Sequence, residues 1–254
     1  MMRHLLQRHP LPVQAWFRHS LVLTYALPAE LLTPLLPPGL ILDTFEEFGF
    51  VAVAMVQTLG LRPAFLPRAL GQDFFLAGYR VFTRFRTADG RLLRGLRILR
   101  SDTNHRRMVW GGNLLTHYQY RLAKVALNES VETLKIAITT PRAEADVEVV
   151  AKLDAPMTAP PAGSPFRDLH QARLFAGPLP FTFDYEKETH SIVAIEGVRE
   201  SWKPVPVPVE VRRLSFLEHP PFDQTRAVLA NAFHVRDISY SWKRGVRHPL
   251  QALP

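Results

Sequence analysis

The apolar residues of this chain fall into runs of two kinds, and the difference predicts the strands. Residues 50–59 (FVAVAMVQTL) are apolar almost throughout, as in a strand covered on both faces. Residues 20–26 (SLVLTYA) are rich in β-branched and aromatic side chains and also read as a strand. From Tyr79 the chain alternates instead. Tyr79, Val81, Thr83 and Phe85 fall on one face, and Arg80, Phe82, Arg84 and Arg86 on the other. Ala88-Asp89-Gly90 then supplies a hairpin turn, and residues 91–100 return as the partner strand, with Gly95 marking a bulge or a close approach. Residues 40–45, 118–125, 132–140, 144–153, 191–198, 206–214 and 235–242 read as further strands, and 226–233 fits no one pattern.

Helices are few and short. Pro28 opens one over PAELLTPLL, with proline in the first turn where a missing N–H costs nothing, and Pro37-Pro38-Gly39 ends it. Ser101-Asp102-Thr103-Asn104 reads as an N-cap cluster before a helix over 106–115, weakened by Gly111-Gly112. Residues 166–175 have helical spacing. Residues 60–71 and 155–165, both proline-bearing, read as surface loops. Many strands with a few short helices predict a mainly β fold, a closed or nearly closed antiparallel barrel. A single domain over 1–254 is expected, frayed at about 1–14 and 243–254.

Composition narrows the chemistry. The chain has no cysteine, which excludes disulfides, thiolate metal sites and cysteine nucleophiles. No apolar stretch is long enough to span a bilayer, so a cytoplasmic protein without a membrane partner is expected. The net charge is +8, and only six of the 31 basic residues are lysine. The arginines are scattered through strands and form no basic tail, which makes nucleic acid the least favoured partner. Their planar forks suit carboxylates. No HExxH, GxSxG, P-loop or GxGxxG motif occurs, and neither a metal nor a cofactor is expected. Homo-oligomerisation stays open.

The segments PAELLTPLLPPGLILDTFEEFGFVAVAMV and YRVFTRFRTADGRLLRGLRILRSD resemble the YqjF-like family of uncharacterised bacterial proteins. DLHQARLF followed by SIVAIEGVRESWKP agrees more loosely. The resemblance spans about residues 15–242, and that family is similar in fold to acetoacetate decarboxylase. It implies a cone-like antiparallel β-barrel with an internal cavity. In that enzyme a lysine forms a Schiff base, its amine made nucleophilic by a neighbouring lysine. The lysine pair follows a Gly-x-x-Leu-x-x-Tyr pattern, which Gly112, Leu115 and Tyr118 match. The two lysine positions then fall on Tyr120 and Arg121. Tyrosine cannot form an imine and arginine stays protonated. Lys124 is the nearest lysine.

The cluster His117-Tyr118-Gln119-Tyr120-Arg121 is the densest in chemistry. If it enters the cavity as the resemblance implies, His117 and Tyr120 are the candidate proton donors or acceptors, with Tyr118 and Arg121 beside the ligand. The plainer reading packs both tyrosines in the barrel with satisfied hydroxyls. Arg80, on the resemblance's arginine-bearing strand, ranks first as a carboxylate anchor, with Arg97 behind it and Gln57 as a polar anchor; a solvated outer face is the competing reading. Glu196 and Glu200 share a strand face about 13 Å apart by strand rise, too far to share a proton. Two functions remain: a cavity protein taking a small carboxylate-bearing molecule, as a lyase or hydrolase without a Schiff-base lysine, or a non-catalytic ligand-binding or sensing module.

Overall fold

The computed structural model describes residues 3–223 and 225–250. In chain order its strands begin with β1 (Val13–Pro28), β2 (Leu40–Leu42), β3 (Phe48–Pro63), β4 (Gln72–Arg86) and β5 (Leu92–Thr103). There follow β6 (Tyr120–Leu122), β7 (Lys124–Glu129), β8 (Thr133–Thr139), β9 (Val147–Lys152) and β10 (Phe181–Glu186). The last are β11 (Ser191–Arg199), β12 (Val205–Pro206), β13 (Val209–Leu214), β14 (Val228–Trp242) and β15 (Val246–Pro249). The helices are α1 (Arg3–Leu6), α2 (Ala29–Leu32), α3 (Arg106–Leu115) and α4 (Leu169–Ala176).

The fold is mainly β. Strands β14, β1, β3, β4, β5, β10 and β11 follow one another around a ring, which closes where residues 197–199 of β11 pair with 240–242 of β14. All neighbours in the ring are antiparallel except β5 and β10, which run parallel over 95–97 and 181–183. A second sheet, β13-β9-β8-β7, lies against the outer face of β1, β3 and β4.

This arrangement explains the near-continuous apolar runs of β1 and β3. Leu21, Leu23, Val51, Val53 and Met55 point outward into the main core, where they meet Leu134, Ile136, Ile138, Val147 and Val149 of the second sheet. Burying each such side chain fully stabilises by about 1.5–3 kcal/mol. Their neighbours Ser20, Val22, Ala52, Ala54 and Val56 point inward. The inward set is small, and it leaves space inside the ring.

Three departures from the sequence pattern have physical causes. Ser101, Asp102 and Thr103 end β5 rather than cap α3; Asp102 is held by Arg100, and His105 at the helix start makes no side-chain cap. Residues 60–63 continue β3 rather than open a loop, because Gly60 at φ 62° turns the strand without ending it. The chain ends are tied down. Arg8 reaches the buried Glu186 at 2.6 Å, Gly245 N–H donates to the His9 carbonyl, and β15 pairs with β11 from Ser191 to Ala194. Of the stretches expected to fray, only residues 1–2 and 251–254 lie outside the described residues. Gly95 is a close approach: a Cβ there would stand 2.6 Å from the Phe181 carbonyl oxygen on the parallel strand β10.

Candidate active site in the ring

The space inside the ring is a cavity of about 300 Å³. Its wall is largely apolar, with Phe17, Phe74, Phe82, Phe233 and Trp242 among its larger members. Four arginines reach the wall: Arg62, Arg80, Arg107 and Arg199. Among the described residues the wall contains no aspartate, glutamate or lysine.

Arg80 lies on the inward face of β4 between Gly78 and Phe82. A Cβ at Gly78 would stand 2.8 Å from the Arg80 Nε, so the glycine makes room for the guanidinium. The residue is half-buried and its Nε is inaccessible; burial lowers its pKa, and the nearby Tyr240, Tyr120 and Tyr118 partly offset that. Its Nε has no hydrogen-bond partner. The Tyr118 hydroxyl is likewise buried and unpartnered. Burial pushes all three phenols above their usual range, so they remain protonated hydrogen-bond donors at neutral pH.

The tyrosines are held by specific neighbours. A Cβ at Gly112 would stand 2.4 Å from the Tyr120 ring, so this glycine of α3 lets that ring lie under the helix. Asn113 fixes the Tyr120 backbone from both sides, accepting from its N–H at 2.8 Å and donating to its carbonyl at 2.9 Å. Tyr240 stacks on Phe17 at 4.8 Å and reaches past Gly197, where a Cβ would meet its hydroxyl.

The other arginines are already engaged or open to solvent. Arg62 donates to the Gly60 and Leu66 carbonyls, both at 3.0 Å. Arg199 lies over the Trp202 ring at 4.9 Å and donates to the Pro178 carbonyl at 3.0 Å. Arg107 is exposed. Among the described residues of the wall, Arg80 is the arginine whose Nε is inaccessible and unpartnered.

Of the residues that the sequence singled out, the cavity brings together Arg80, Tyr118 and Tyr120 and leaves out the rest. Arg97 sits between Leu96 and Ile98, both inward, so strand alternation turns it away and onto Asp184. His117 joins the same carboxylate, with its Nδ1 3.0 Å and its backbone N–H 3.1 Å from Asp184 Oδ2. Burial lowers the His117 pKa, but the hydrogen bond and charge of Asp184 outweigh that and raise it. His117 therefore stands with Arg97 beside Asp184 and is not among the wall residues. Arg121 points outward to Glu144 at 3.0 Å. Gln57 shares the outward face of β3 with Met55. Lys124 is exposed on β7, in the second sheet.

Sequence reasoning passed over His9, Arg199, Trp202 and Tyr240. Tyr240 was legible, since alternation along VRDISYSW places it with Ile238 and Trp242 on one face. Arg199 and Trp202 come to the wall only through ring closure by β11. His9 lies in the segment expected to fray; burial lowers its pKa, and its Nδ1 is unpartnered. Among the described residues no three His, Asp or Glu side chains gather as metal ligands. No helix of the described residues is long and apolar enough to cross a membrane.

Comparison with known proteins agrees with this architecture. The DUF2071 family, described as "Uncharacterized conserved protein (COG2071)", matches residues 14–236. No curated protein matches the chain in sequence. An acetoacetate decarboxylase from Legionella pneumophila superposes with a TM-score of 0.58 at 15% identity, over 94% of this chain and 87% of that one. The enduracididine biosynthesis enzyme MppR, complexed with pyruvate, gives 0.60 at 11% identity, over 94% and 90%. An acetoacetate decarboxylase-like enzyme from Sphingomonas wittichii RW1 gives 0.57 at 12% identity, over 97% and 94%. At such identities the likeness is one of fold.

Proposed function

The chain belongs to the DUF2071 family and has the acetoacetate decarboxylase-like fold, and from that premise we propose that its cavity binds a small monocarboxylate with an apolar body. The observation that carries this reading is the Arg80 guanidinium, its Nε inaccessible and without a partner, with no carboxylate among the described residues of the wall around it. An isolated buried charge is costly, and a ligand anion offsets that cost by bidentate hydrogen bonding. Tyr118 Oη, buried and unpartnered, is a second donor for the same anion. Charge counting favours a monoanion: a second ligand charge would find no second free buried cation. The apolar remainder of the wall suits a hydrocarbon or aromatic body.

Among the described residues the wall offers no lysine for an imine. Reduction with borohydride in the presence of keto acids is therefore expected to leave the intact mass unchanged. Protein-derived proton transfer falls to the tyrosines as donors and to His9, kept neutral by burial, as acceptor. His9 is the observation that favours a second reading, a lyase or hydrolase acting without a covalent lysine adduct; without turnover, the protein is a binding or sensing module.

The test is a thermal-shift and calorimetric series of aliphatic and aromatic monocarboxylates, dicarboxylates and inorganic phosphate. A ligand that binds only the native state raises the melting temperature. Monocarboxylates with apolar bodies are expected to give the largest shifts, and Arg80→Met to abolish them with folding intact. The reading fails if no carboxylate shifts the wild type, or if Arg80→Met binds as the wild type does.

A further inference from the structure

The mouth of the cavity can be located from exposure. Of the wall residues, only Leu11 and Arg107 are exposed, so the opening lies where the N-terminal segment, the turn between β3 and β4, and α3 come together. Hydrogen bonds join the three. Ala64 N–H donates to the Pro12 carbonyl at 2.9 Å, His9 N–H to the Leu115 carbonyl at 3.1 Å, and Gln7 Nε2 to the Asn113 carbonyl at 3.0 Å.

These segments have a distinctive composition. Residues 4–12, 60–71 and 105–117 contain no aspartate or glutamate. Arg68, Arg106 and Arg107 are exposed there. Beside them stand large apolar side chains open to solvent: Phe65 at 70%, Leu70 at 63% and Trp110 at 74% exposure. Arg212, by contrast, stands beside Glu148 and Glu210.

A face of arginines bordered by one exposed acid, Asp73, which accepts from the Gly60 N–H at 2.7 Å, with protruding aromatic and aliphatic tips, matches an anionic lipid surface in both respects. Apolar tips enter the headgroup layer, while guanidinium groups meet the phosphates. A second copy docking through the same face would set arginine against arginine. We propose that the mouth face docks on an anionic membrane surface, which places the cavity opening at the lipid interface. This goes beyond the absence of a spanning segment, since docking needs no span, and it stands apart from carboxylate binding by Arg80.

Co-sedimentation of the full chain with vesicles of phosphatidylcholine, alone or mixed with phosphatidylglycerol, tests it. Binding is expected to the mixed vesicles alone and to weaken as salt rises. Arg106→Glu and Arg107→Glu should each lower partitioning by about fivefold or more. Trp110→Ser and Phe65→Ser should also weaken it. Tryptophan emission should shift to the blue on binding, and Trp110→Phe should remove that shift. Arg80→Met should bind vesicles as the wild type does, so failure here is distinguishable from failure of the carboxylate reading. The proposal is overturned if neither vesicle binds, if the mouth variants bind unchanged, or if ultracentrifugation shows a dimer that Trp110→Ser dissolves.

Discussion

Arg80 and Arg100 lie on adjacent strands and nearly opposite one another, yet their surroundings are unlike. Tyr79 pairs with Arg100 and Arg80 with Ile98, so Leu99 is the extra residue of a bulge. Arg80 faces into the ring and meets no carboxylate. Arg100 faces the junction between the sheets, where Asp102 accepts two hydrogen bonds at 2.7 and 2.9 Å and Glu144 lies at 2.8 Å. Arg100 is buried, and Arg80 is half-buried with an inaccessible Nε. One is neutralised by the fold, and the other leaves a charge that the fold does not answer. A buried cation with its anion built in serves structure; one without it marks a place for something from outside.

The largest expected effect separates the two. Arg100→Met leaves Asp102 buried without its partner and should cost about 3–5 kcal/mol in denaturant unfolding. Arg80→Met removes a charge that has no acidic partner and fills the space with a similar apolar volume. It should leave stability unchanged or raise it by about 1 kcal/mol or more. Equal losses in the two variants would break the comparison, because Arg80 would then have an acidic partner within the chain.

Two histidines repeat the contrast and add a pH dependence. His234 contacts His19 at 3.1 Å, and burial, with the charge of His19 and Arg236, lowers its pKa from 6.5 to about 4. Its folded value lies below the unfolded one, so the unfolded chain binds the extra proton between those values and stability falls as pH drops from 6.5 towards 4. The expected loss is about 3 kcal/mol. His117, raised by Asp184, acts in the opposite sense: its stabilisation is full below the unfolded value and is lost as pH rises through its folded one. His234→Gln should flatten the acid limb of a stability–pH curve, and His117→Gln the limb above 6.5. An unchanged acid limb in His234→Gln would assign that limb to other groups.

A smaller effect sharpens the account of the cavity. Gly112→Ala sets a methyl group against the Tyr120 ring, and overpacking of this kind costs about 1–3 kcal/mol. Because the ring lines the cavity, carboxylate binding should weaken along with stability. A loss of stability with binding untouched would place Tyr120 outside the ligand's reach.

The sequence made the strands legible where one face differed from the other. Alternation from Tyr79 placed Arg80 and Phe82 on one face, and the cavity wall contains both. It could not tell which face was inward, because that depends on closure of the ring by β11 and on the bulge at Leu99. Arg97 and Arg80 looked equivalent for that reason. β10 was passed over although FTFDYE alternates, and its two acids, Asp184 and Glu186, are both buried. Their burial is explained only by Arg97, His117 and Arg8, which are distant in sequence. His9 was lost to the ordinary expectation that chain ends fray.

The smallest expected effect tests the cavity's boundary from outside. Arg121 occupies one of the two positions at which the resemblance implies a lysine, yet its side chain is about half exposed and shares Glu144 with Arg100. Exposed pairs contribute about 0–1 kcal/mol, so Arg121→Met should shift stability within that range. Glu144 keeps Arg100, and Asp102 keeps both of its hydrogen bonds, so no buried group is left without a partner. Carboxylate binding should be unchanged in calorimetry, because the side chain points away from the wall. If Arg121→Met instead abolished binding as Arg80→Met is expected to, the anion would sit on the outer side of the ring. The contrast between an answered and an unanswered buried arginine would then lose its functional meaning.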